Sequence, residues 1–182
     1  MPFYQRHLPH WHPEGAALFV TWRLHGSLPR ILATFEATDR ELAQGAFGPH
    51  WLEDRRIASL VVHSLRFAQD PLSLYELRAW VVMPNHVHIL ICPRAELKRI
   101  TRAVKTFTAR EANSILGRTG QPFWQDESYD HWVRSRQEME ATVRYIESNP
   151  VAAGLARAVE EWPWSSAAAG ERPGDRPEAC PT

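Results

Sequence analysis

A chain of 182 residues is long enough for one domain with a hydrophobic core and short for two independent domains. Hydrophobic residues make up 44% and charged residues 23%, close to the average of globular proteins, which excludes extensive disorder away from the ends. The formal net charge of zero excludes a strong attraction of the whole molecule to nucleic acid. Because no apolar run reaches about 18 residues, a membrane-spanning helix is also excluded.

The two cysteines and the N-terminus predict the compartment. Cys92 and Cys180 lie far apart in the chain, so the sequence does not support a disulfide framework and fits a reducing environment. The N-terminus, "MPFYQRHLPHWHPEG", lacks the apolar segment of a signal peptide. We therefore expect a cytoplasmic location and no membrane partner.

The first half of the chain predicts two helices between strands. Residues 16–25 alternate loosely between apolar and polar side chains and end at Gly26, which indicates a strand. Helical patterns follow at about 29–44 and about 51–67. The runs "YELRAWVVM" and "HVHILIC" are joined at Pro84 and Asn85, and they predict an antiparallel pair with a tight turn.

The second half predicts two more helices and one more strand. A basic amphipathic helix should run over about 96–116 and stop at Gly117, and "SYDHWVR" should form a strand. The last helix begins at a cap formed by Ser135 and Glu138 and should end near Pro150, because the residue before proline avoids the helical region. This order predicts an α+β fold, with one domain over 1–166 and a disordered tail over 167–182.

The apolar run "VVMPNHVHILICP" contains two histidines separated by one residue. Residues i and i+2 of a strand point to the same face, so His86 and His88 should present two imidazoles side by side. This arrangement suits a divalent metal ion, although a filled site needs at least one further ligand. The alternative is two histidines on a solvated face, or one that is hydrogen-bonded in the core.

A second motif, "VRYIESNPVAAGL", places Tyr145 and Asn149 one turn apart on the same face of the last helix. Asn149 offers a carbonyl oxygen, which is a suitable ligand for magnesium or manganese, and Tyr145 offers a phenolic oxygen. Both residues also have a purely structural interpretation. In that alternative Tyr145 is a half-buried helix aromatic and Asn149 marks the helix end.

Taken together, "VVMPNHVHIL" and "YIESNPVAAGL" resemble the REP-associated tyrosine transposases, a branch of the single-tyrosine HUH transposases that act on single-stranded DNA. The segments "FWQDESYDHWVRS" and "LPHWHPEGAALFVTWRLHGSLP" also resemble this family, so that the similarity covers about residues 3–166. The resemblance implies a ferredoxin-like α+β sandwich in which the histidine strand is central in the sheet and the tyrosine helix lies beside it.

The resemblance also implies a site and a reaction. His86, His88 and Asn149 would hold a divalent ion, Mg²⁺ or Mn²⁺, and Tyr145 would be the nucleophile. The implied activity is metal-dependent cleavage and joining of repetitive, hairpin-forming single-stranded DNA through a 5′-phosphotyrosine intermediate. The resemblance favours a monomer that completes its own site over a dimer.

Single-stranded DNA binding requires cations for the phosphates and aromatic platforms for the bases. The stretch 94–118 carries seven basic residues against two acidic ones, although a solvated charged helix face would give the same pattern. Trp11, Trp162 and Trp164 lie in loop-like sequence and are candidate platforms. The candidate phosphate contacts lie on the basic helix and beside the tyrosine helix: Arg102, Lys105, Arg110, Arg134 and Arg136.

Several alternatives remain open from the sequence. Tyr4, Tyr75 and Tyr129 are rival nucleophiles, but none combines a helical setting with a ligand one turn away. The N-terminal "HLPHWH" fits a loop cluster of histidines better than a second metal site. The competing functions are a DNA-binding protein that keeps the fold without transposing, and a metal-dependent hydrolase that uses bound water and needs no tyrosine.

Overall fold

A computed structural model of the protein describes residues 16–28, 35–45, 47–170 and Cys180. The predicted helix segment 29–34, Tyr4, Trp11 and the "HLPHWH" cluster lie outside the described residues, as does most of the predicted tail.

The described residues form four strands and four α-helices. The strands are β1 (Ala17–Arg23), β2 (Tyr75–Val82), β3 (His86–Pro93) and β4 (Tyr129–Val133). The helices are α1 (Phe35–Gln44), α2 (Arg55–Gln69), α3 (Leu97–Ile115) and α4 (Arg136–Ala152). Every predicted strand and helix is therefore present, and their bounds differ from the predictions mainly at the ends.

The strands form one antiparallel sheet in the order β2-β3-β1-β4, which places the histidine strand β3 in the interior of the sheet. This order, with helices between β1 and β2 and between β3 and β4, is the ferredoxin-like arrangement. The predicted α+β sandwich is confirmed. In the register of β1 and β3, Thr21 lies opposite His88.

Each face of the sheet buries a separate apolar layer. Strand residues alternate between the faces, so β1 directs Val20 and Trp22 to one side and Phe19 to the other. Helices α2 and α3 cover the first side, and α4 covers the second through Val143 and Ile146. His86 and His88 belong to the side of α4, because they alternate with Val87 and Ile89 of the other layer.

The start of α4 follows the predicted cap, but its end does not. The Ser135 side chain accepts a hydrogen bond from the Glu138 backbone N–H, as the sequence predicts. The prediction of an end near Pro150 is wrong, because α4 continues through Pro150 to Ala152. Proline disfavours but does not forbid a helical residue before it, and the helix stops instead where Gly154 adopts a positive φ of 72°.

The cysteines also differ from the prediction. Cys92 on β3 and Cys180 are joined by a disulfide bond, although the sequence supported none. Cys180 is buried in the apolar layer beneath α4. Separation along the chain carried no information about this pair, because only the fold brings Cys180 to β3.

Residues 162–166 cover the outer edge of β2. The Val82 N–H donates to the Trp164 carbonyl at 2.8 Å, and the Ser166 N–H donates to the Trp80 carbonyl at 2.9 Å. The Trp162 indole N–H donates to the Val82 carbonyl at 3.0 Å. The two tryptophans that the sequence suggested as base platforms therefore attach this segment to the sheet.

Candidate active site

The β3 histidines face a third charged side chain, Asp39 of α1. Asp39 Oδ1 lies 3.0 Å from His88 Nε2 and 3.7 Å from His86 Nε2. Both histidines are fully buried, and Asp39 is 7% exposed. Together the three residues offer ligand atoms that all lie within 4.8 Å of one another.

Sequence reasoning missed Asp39. It lies in the polar stretch "FEATDRELAQ", where nothing distinguishes it from the other acidic residues of the helix. Only the packing of α1 against the sheet brings its carboxylate to the histidines.

Each histidine is held through its second ring nitrogen. The Thr21 hydroxyl lies 2.7 Å from His88 Nδ1, and Asn85 Oδ1 lies 2.6 Å from His86 Nδ1. Metal-binding histidines commonly have such partners, because the hydrogen bond fixes the ring and leaves the other nitrogen for the ion. Both Nε2 atoms consequently face Asp39.

Tyr145 closes the cluster from α4. Its hydroxyl donates a hydrogen bond to Asp39 Oδ2. The ring packs edge-on against Phe19 and His88, with centroid distances of 5.9 Å and 5.7 Å. Because the side chain is 37% exposed, a large substrate can reach the hydroxyl.

Asn149 lies one turn after Tyr145, as predicted, and is buried beside His88. Its amide nitrogen is 3.4 Å from His88 Nε2. Rotation of the amide by half a turn would present the oxygen instead. His86, His88, Tyr145 and Asn149, four of the residues singled out in the sequence, therefore meet at one place.

Burial and neighbouring charges determine the ionisation of this cluster. Burial, with a smaller contribution from the neighbouring His88, lowers the pKa of His86 to about 3, although the charge of Asp39 acts in the opposite direction. Burial raises the pKa of Asp39, but the hydrogen bond and charge of His88, with contributions from His86 and Tyr145, bring it below its ordinary value. At neutral pH the cluster thus contains a neutral imidazole at His86 and a carboxylate.

The donor set fits a divalent ion. Neutral imidazole nitrogen and carboxylate oxygen are both common ligands of divalent metal ions. His86 Nε2 is buried and makes no hydrogen bond within the described part of the chain, and Asp39 Oδ1 faces it at 3.7 Å. An ion between them would satisfy both atoms.

A cleft of about 290 Å³ opens beside the cluster between α1 and α4. Its walls include Asp39, Arg40, Tyr145, Ser148 and Asn149. The cleft gives the tyrosine hydroxyl an approach from solvent, and Arg40 is an exposed cation at its edge.

The predicted phosphate contacts are not gathered at this cleft. Arg102 and Arg110 line a second, open groove of about 580 Å³ along α3, on the opposite face of the sheet from Tyr145. Lys105 donates to the carbonyls of Gln125 and Asp126, at 2.7 Å and 2.9 Å, which ties α3 to the loop before β4.

Arg134 and Arg136 lie at the start of α4. The Arg134 guanidinium stacks 5.5 Å above the Trp132 ring, and Arg136 pairs with Glu140 at 3.0 Å. Both are exposed, so each can still reach a phosphate.

Residues 71–149 match the model of the family described as "Transposase IS200 like". The matched range contains His86, His88, Tyr145 and Asn149, which the fold brings together. Over these residues the chain is similar to the IS200-like transposases. The predicted resemblance to a transposase family is thereby confirmed.

Two individual proteins are similar to the chain. The REP-associated tyrosine transposase of Escherichia coli (strain K12) is 31% identical over 96 residues, which are 50% of this chain and 54% of that protein. The chain thus spans about half the length of this curated relative. A solved structure of a REP-associated tyrosine transposase bound to a REP hairpin aligns with a TM-score of 0.58 and 21% identity, over 100% of this chain and 92% of that one. This second similarity shows the fold.

Proposed function

We propose that the protein is a metal-dependent endonuclease and strand transferase for repetitive, hairpin-forming single-stranded DNA, acting through a 5′-phosphotyrosine intermediate. The observation that carries this proposal is the hydrogen bond from the Tyr145 hydroxyl to the carboxylate that also faces His86 and His88. The proposed nucleophile, its proposed proton acceptor and the proposed metal ligands thereby lie in one cluster, and residues 71–149 match the model of a transposase family.

The residues that would hold the ion are Asp39, His86 and His88, with Asn149 able to add its amide oxygen. The bound ion, Mn²⁺ or Mg²⁺, would supply Lewis-acid polarisation of a phosphate oxygen. Neutral imidazole is the ligand form of histidine, so the lowered pKa of His86 keeps this residue ready to bind a metal at neutral pH.

Tyr145 needs a proton acceptor, because the ordinary pKa of a tyrosine is about 10. Asp39 Oδ2 already accepts the hydrogen bond of this hydroxyl and is placed to receive its proton. The phenolic oxygen then forms a bond to phosphorus, the bond from phosphorus to the 3′ oxygen breaks, and that oxygen takes up a proton. The products are a 5′-phosphotyrosine and a free 3′-hydroxyl.

The reverse chemistry joins a second DNA end. A 3′-hydroxyl attacks the phosphotyrosine, the bond to the Tyr145 oxygen breaks, and the phenol regains a proton. The number of phosphodiester bonds is conserved, so no external energy source is needed. Because Tyr145 meets the histidines of its own chain, the site supports a monomer that completes its own active centre.

Labelled single-stranded DNA with hairpin repeats from the source genome tests the proposal, with Mn²⁺ or Mg²⁺ present. Denaturing electrophoresis should show a labelled band at the mass of the protein, and Tyr145→Phe should abolish it. Tyr129→Phe is the matched control, because Tyr129 packs 6.3 Å from the same Phe19 ring but lies on β4. This variant should keep the band.

The other outcomes identify the competing functions. Cleavage without a covalent band, unchanged in Tyr145→Phe, would indicate a hydrolase that uses water. Shifted DNA in a native gel without cleavage, with either ion, would indicate a binding protein that does not transpose.

A further inference from the structure

Asn85 is a buried polar residue between β2 and β3 whose contacts extend beyond its hydrogen bond to His86. It is 1% exposed and precedes His86 directly. Its side-chain oxygen lies 2.6 Å from His86 Nδ1, and its side-chain nitrogen donates to the Leu42 carbonyl of α1 at 2.9 Å. Its own carbonyl accepts from the Leu24 N–H at 2.8 Å. One residue thus connects β3, α1 and the segment after β1.

These partners leave a single orientation for the amide. A backbone carbonyl can only accept, so the nitrogen of Asn85 must face Leu42 and the oxygen must face His86. The amide oxygen also only accepts, which requires the proton of neutral His86 to be on Nδ1. His86 Nε2 then carries the free electron pair, and this is the atom that faces Asp39.

The bond to Leu42 has a second effect. Leu42 follows Asp39 by three residues, close to one turn of α1, so the anchor lies beside the carboxylate. It holds this part of α1 against the start of β3. Thr21 does not perform the equivalent task for His88, because a hydroxyl can donate or accept and leaves the tautomer of His88 open.

We propose that Asn85 is a positioning residue that sets the tautomer of His86 and anchors α1, so that the metal-binding arrangement exists before an ion arrives. The inference rests on the proposed function in one respect, namely that this cluster takes a divalent ion. The two structural effects of Asn85 are properties of the metal-free protein and can be measured without any reaction.

Two substitutions separate the two effects. Asn85→Asp keeps an acceptor for His86 Nδ1 and removes the donor to Leu42, whereas Asn85→Ala removes both. Asn113→Ala is the matched control, because Asn113 is also a buried asparagine that donates to a backbone carbonyl, that of Gln121 at 2.7 Å, and lies on α3 across the sheet.

Nitrogen-15 NMR of the metal-free protein at pH 8 reads the tautomer of His86, and amide hydrogen exchange reads the anchoring of α1. We expect the Nδ1–H form in the wild type, Asn85→Asp and the control, and a mixture of tautomers in Asn85→Ala. Exchange of the α1 amides should be faster in both Asn85 variants, by about tenfold, and unchanged in the control. If Asn85→Ala does not fold, the Asn85→Asp variant provides the test. Unchanged amide exchange in α1 of that variant would overturn the proposal that Asn85 anchors this helix.

Calorimetric titration with Mn²⁺ then measures whether the positioning of His86 and α1 by Asn85 affects the affinity for the metal ion. Asn85→Ala should bind Mn²⁺ about 10- to 100-fold more weakly than wild type, and Asn113→Ala should bind normally. Unchanged tautomer, exchange and Mn²⁺ affinity in Asn85→Ala would overturn the inference. Absence of Mn²⁺ binding by the wild type would instead contradict the proposed metal centre. The NMR and exchange data would still test whether Asn85 positions His86 and α1.

Discussion

The carboxylate of Asp39 connects the two histidines of the candidate site with Tyr145. One oxygen faces both histidines and the other accepts from Tyr145, so a single side chain contacts the metal-binding set and the nucleophile. A buried carboxylate is stable only when charges or donors compensate its lost hydration. The neighbours of Asp39 supply that compensation, and they also make it the most sensitive position of the site.

Asp39→Asn tests this role with minimal change of shape. It keeps one oxygen but removes the negative charge and the proton acceptor, so we expect Mn²⁺ binding to weaken by more than about tenfold and the covalent DNA product to disappear. Isothermal calorimetry and the electrophoretic assay measure the two effects. Glu41→Gln makes the same chemical change two residues along α1 and should alter neither. Normal Mn²⁺ affinity in Asp39→Asn would remove Asp39 from the ligand set.

The buried histidine predicts a pH dependence of stability in the metal-free protein. In the unfolded chain His86 takes up a proton near pH 6.5, whereas in the folded protein burial lowers its pKa to about 3. Between these values the unfolded state binds more protons, so the free energy of unfolding falls as the pH falls, by at most about 1.4 kcal/mol per pH unit from this group. The lowered pKa of Asp39 acts in the same direction below its ordinary value.

Urea denaturation in EDTA between pH 7.5 and pH 5 measures this slope. His86→Gln should reduce it, and His25→Gln, which changes an exposed histidine in the turn after β1, should leave it as in the wild type. A slope that is equal in all three proteins would show that His86 is not buried in neutral form.

Among the secondary-structure elements, α3 differs most from its expected role. Its basic residues were predicted to contact DNA, yet the helix packs on the face of the sheet opposite Tyr145. A strand that occupies the active cleft cannot lie along α3 without passing around the sheet. If the protein binds hairpin DNA as proposed, the open groove there, with Arg102, Arg110 and an exposed Phe107, is the surface that would take the hairpin stem.

The double substitution of Arg102→Ala and Arg110→Ala should therefore weaken binding of hairpin DNA more than binding of an unpaired oligonucleotide. We expect roughly a tenfold loss of affinity for the hairpin at 0.1 M salt. The dependence of affinity on salt concentration should also decrease, by the amount that corresponds to about two phosphate contacts. Fluorescence anisotropy at several salt concentrations measures both. Arg55→Ala, an exposed arginine at the start of α2, is the control. Equal losses for both DNAs would argue against a separate hairpin surface.

At the scale of the whole molecule, the segment after α4 completes the sheet. Residues 162–166 form hydrogen bonds with the backbone at the outer edge of β2, and Trp164 packs against the core. The Ser166 hydroxyl donates a hydrogen bond to the Glu147 side chain of α4 at 2.8 Å. A free strand edge exposes unpaired backbone groups and promotes aggregation.

No helix in the described part of the chain is long and apolar enough to span a bilayer.

Two truncations in reducing buffer test this arrangement. A chain that ends at Gly170 should unfold within a few degrees of the full chain. A chain that ends at Glu161 loses four hydrogen bonds to β2 and buried tryptophan surface, so we expect its free energy of unfolding to fall by about 3 kcal/mol or more. The corresponding decrease in melting temperature is about 6–12 °C, measurable by circular dichroism. Equal melting temperatures would show that the segment is dispensable.

The strands, the helices and every candidate-site residue except Asp39 could be predicted from the sequence. Alternation along the strands and the helical repeat depend on neighbouring residues, so β1 to β4 and the four helices could be predicted, apart from the end of α4. The spacing of His86 and His88, and of Tyr145 and Asn149, likewise depends only on local geometry. The order of the strands followed from resemblance to a family rather than from the pattern.

Which elements meet could be seen only in the folded structure. Asp39 joins the histidines because α1 packs beside β3, and α3 lies away from Tyr145 because the strands alternate between two buried faces. Cys92 meets Cys180 because Cys180 lies in the apolar layer on the side of α4. Contacts between residues distant in sequence depend on the packing of complete layers. No local pattern around Asp39 or Cys180 encodes them.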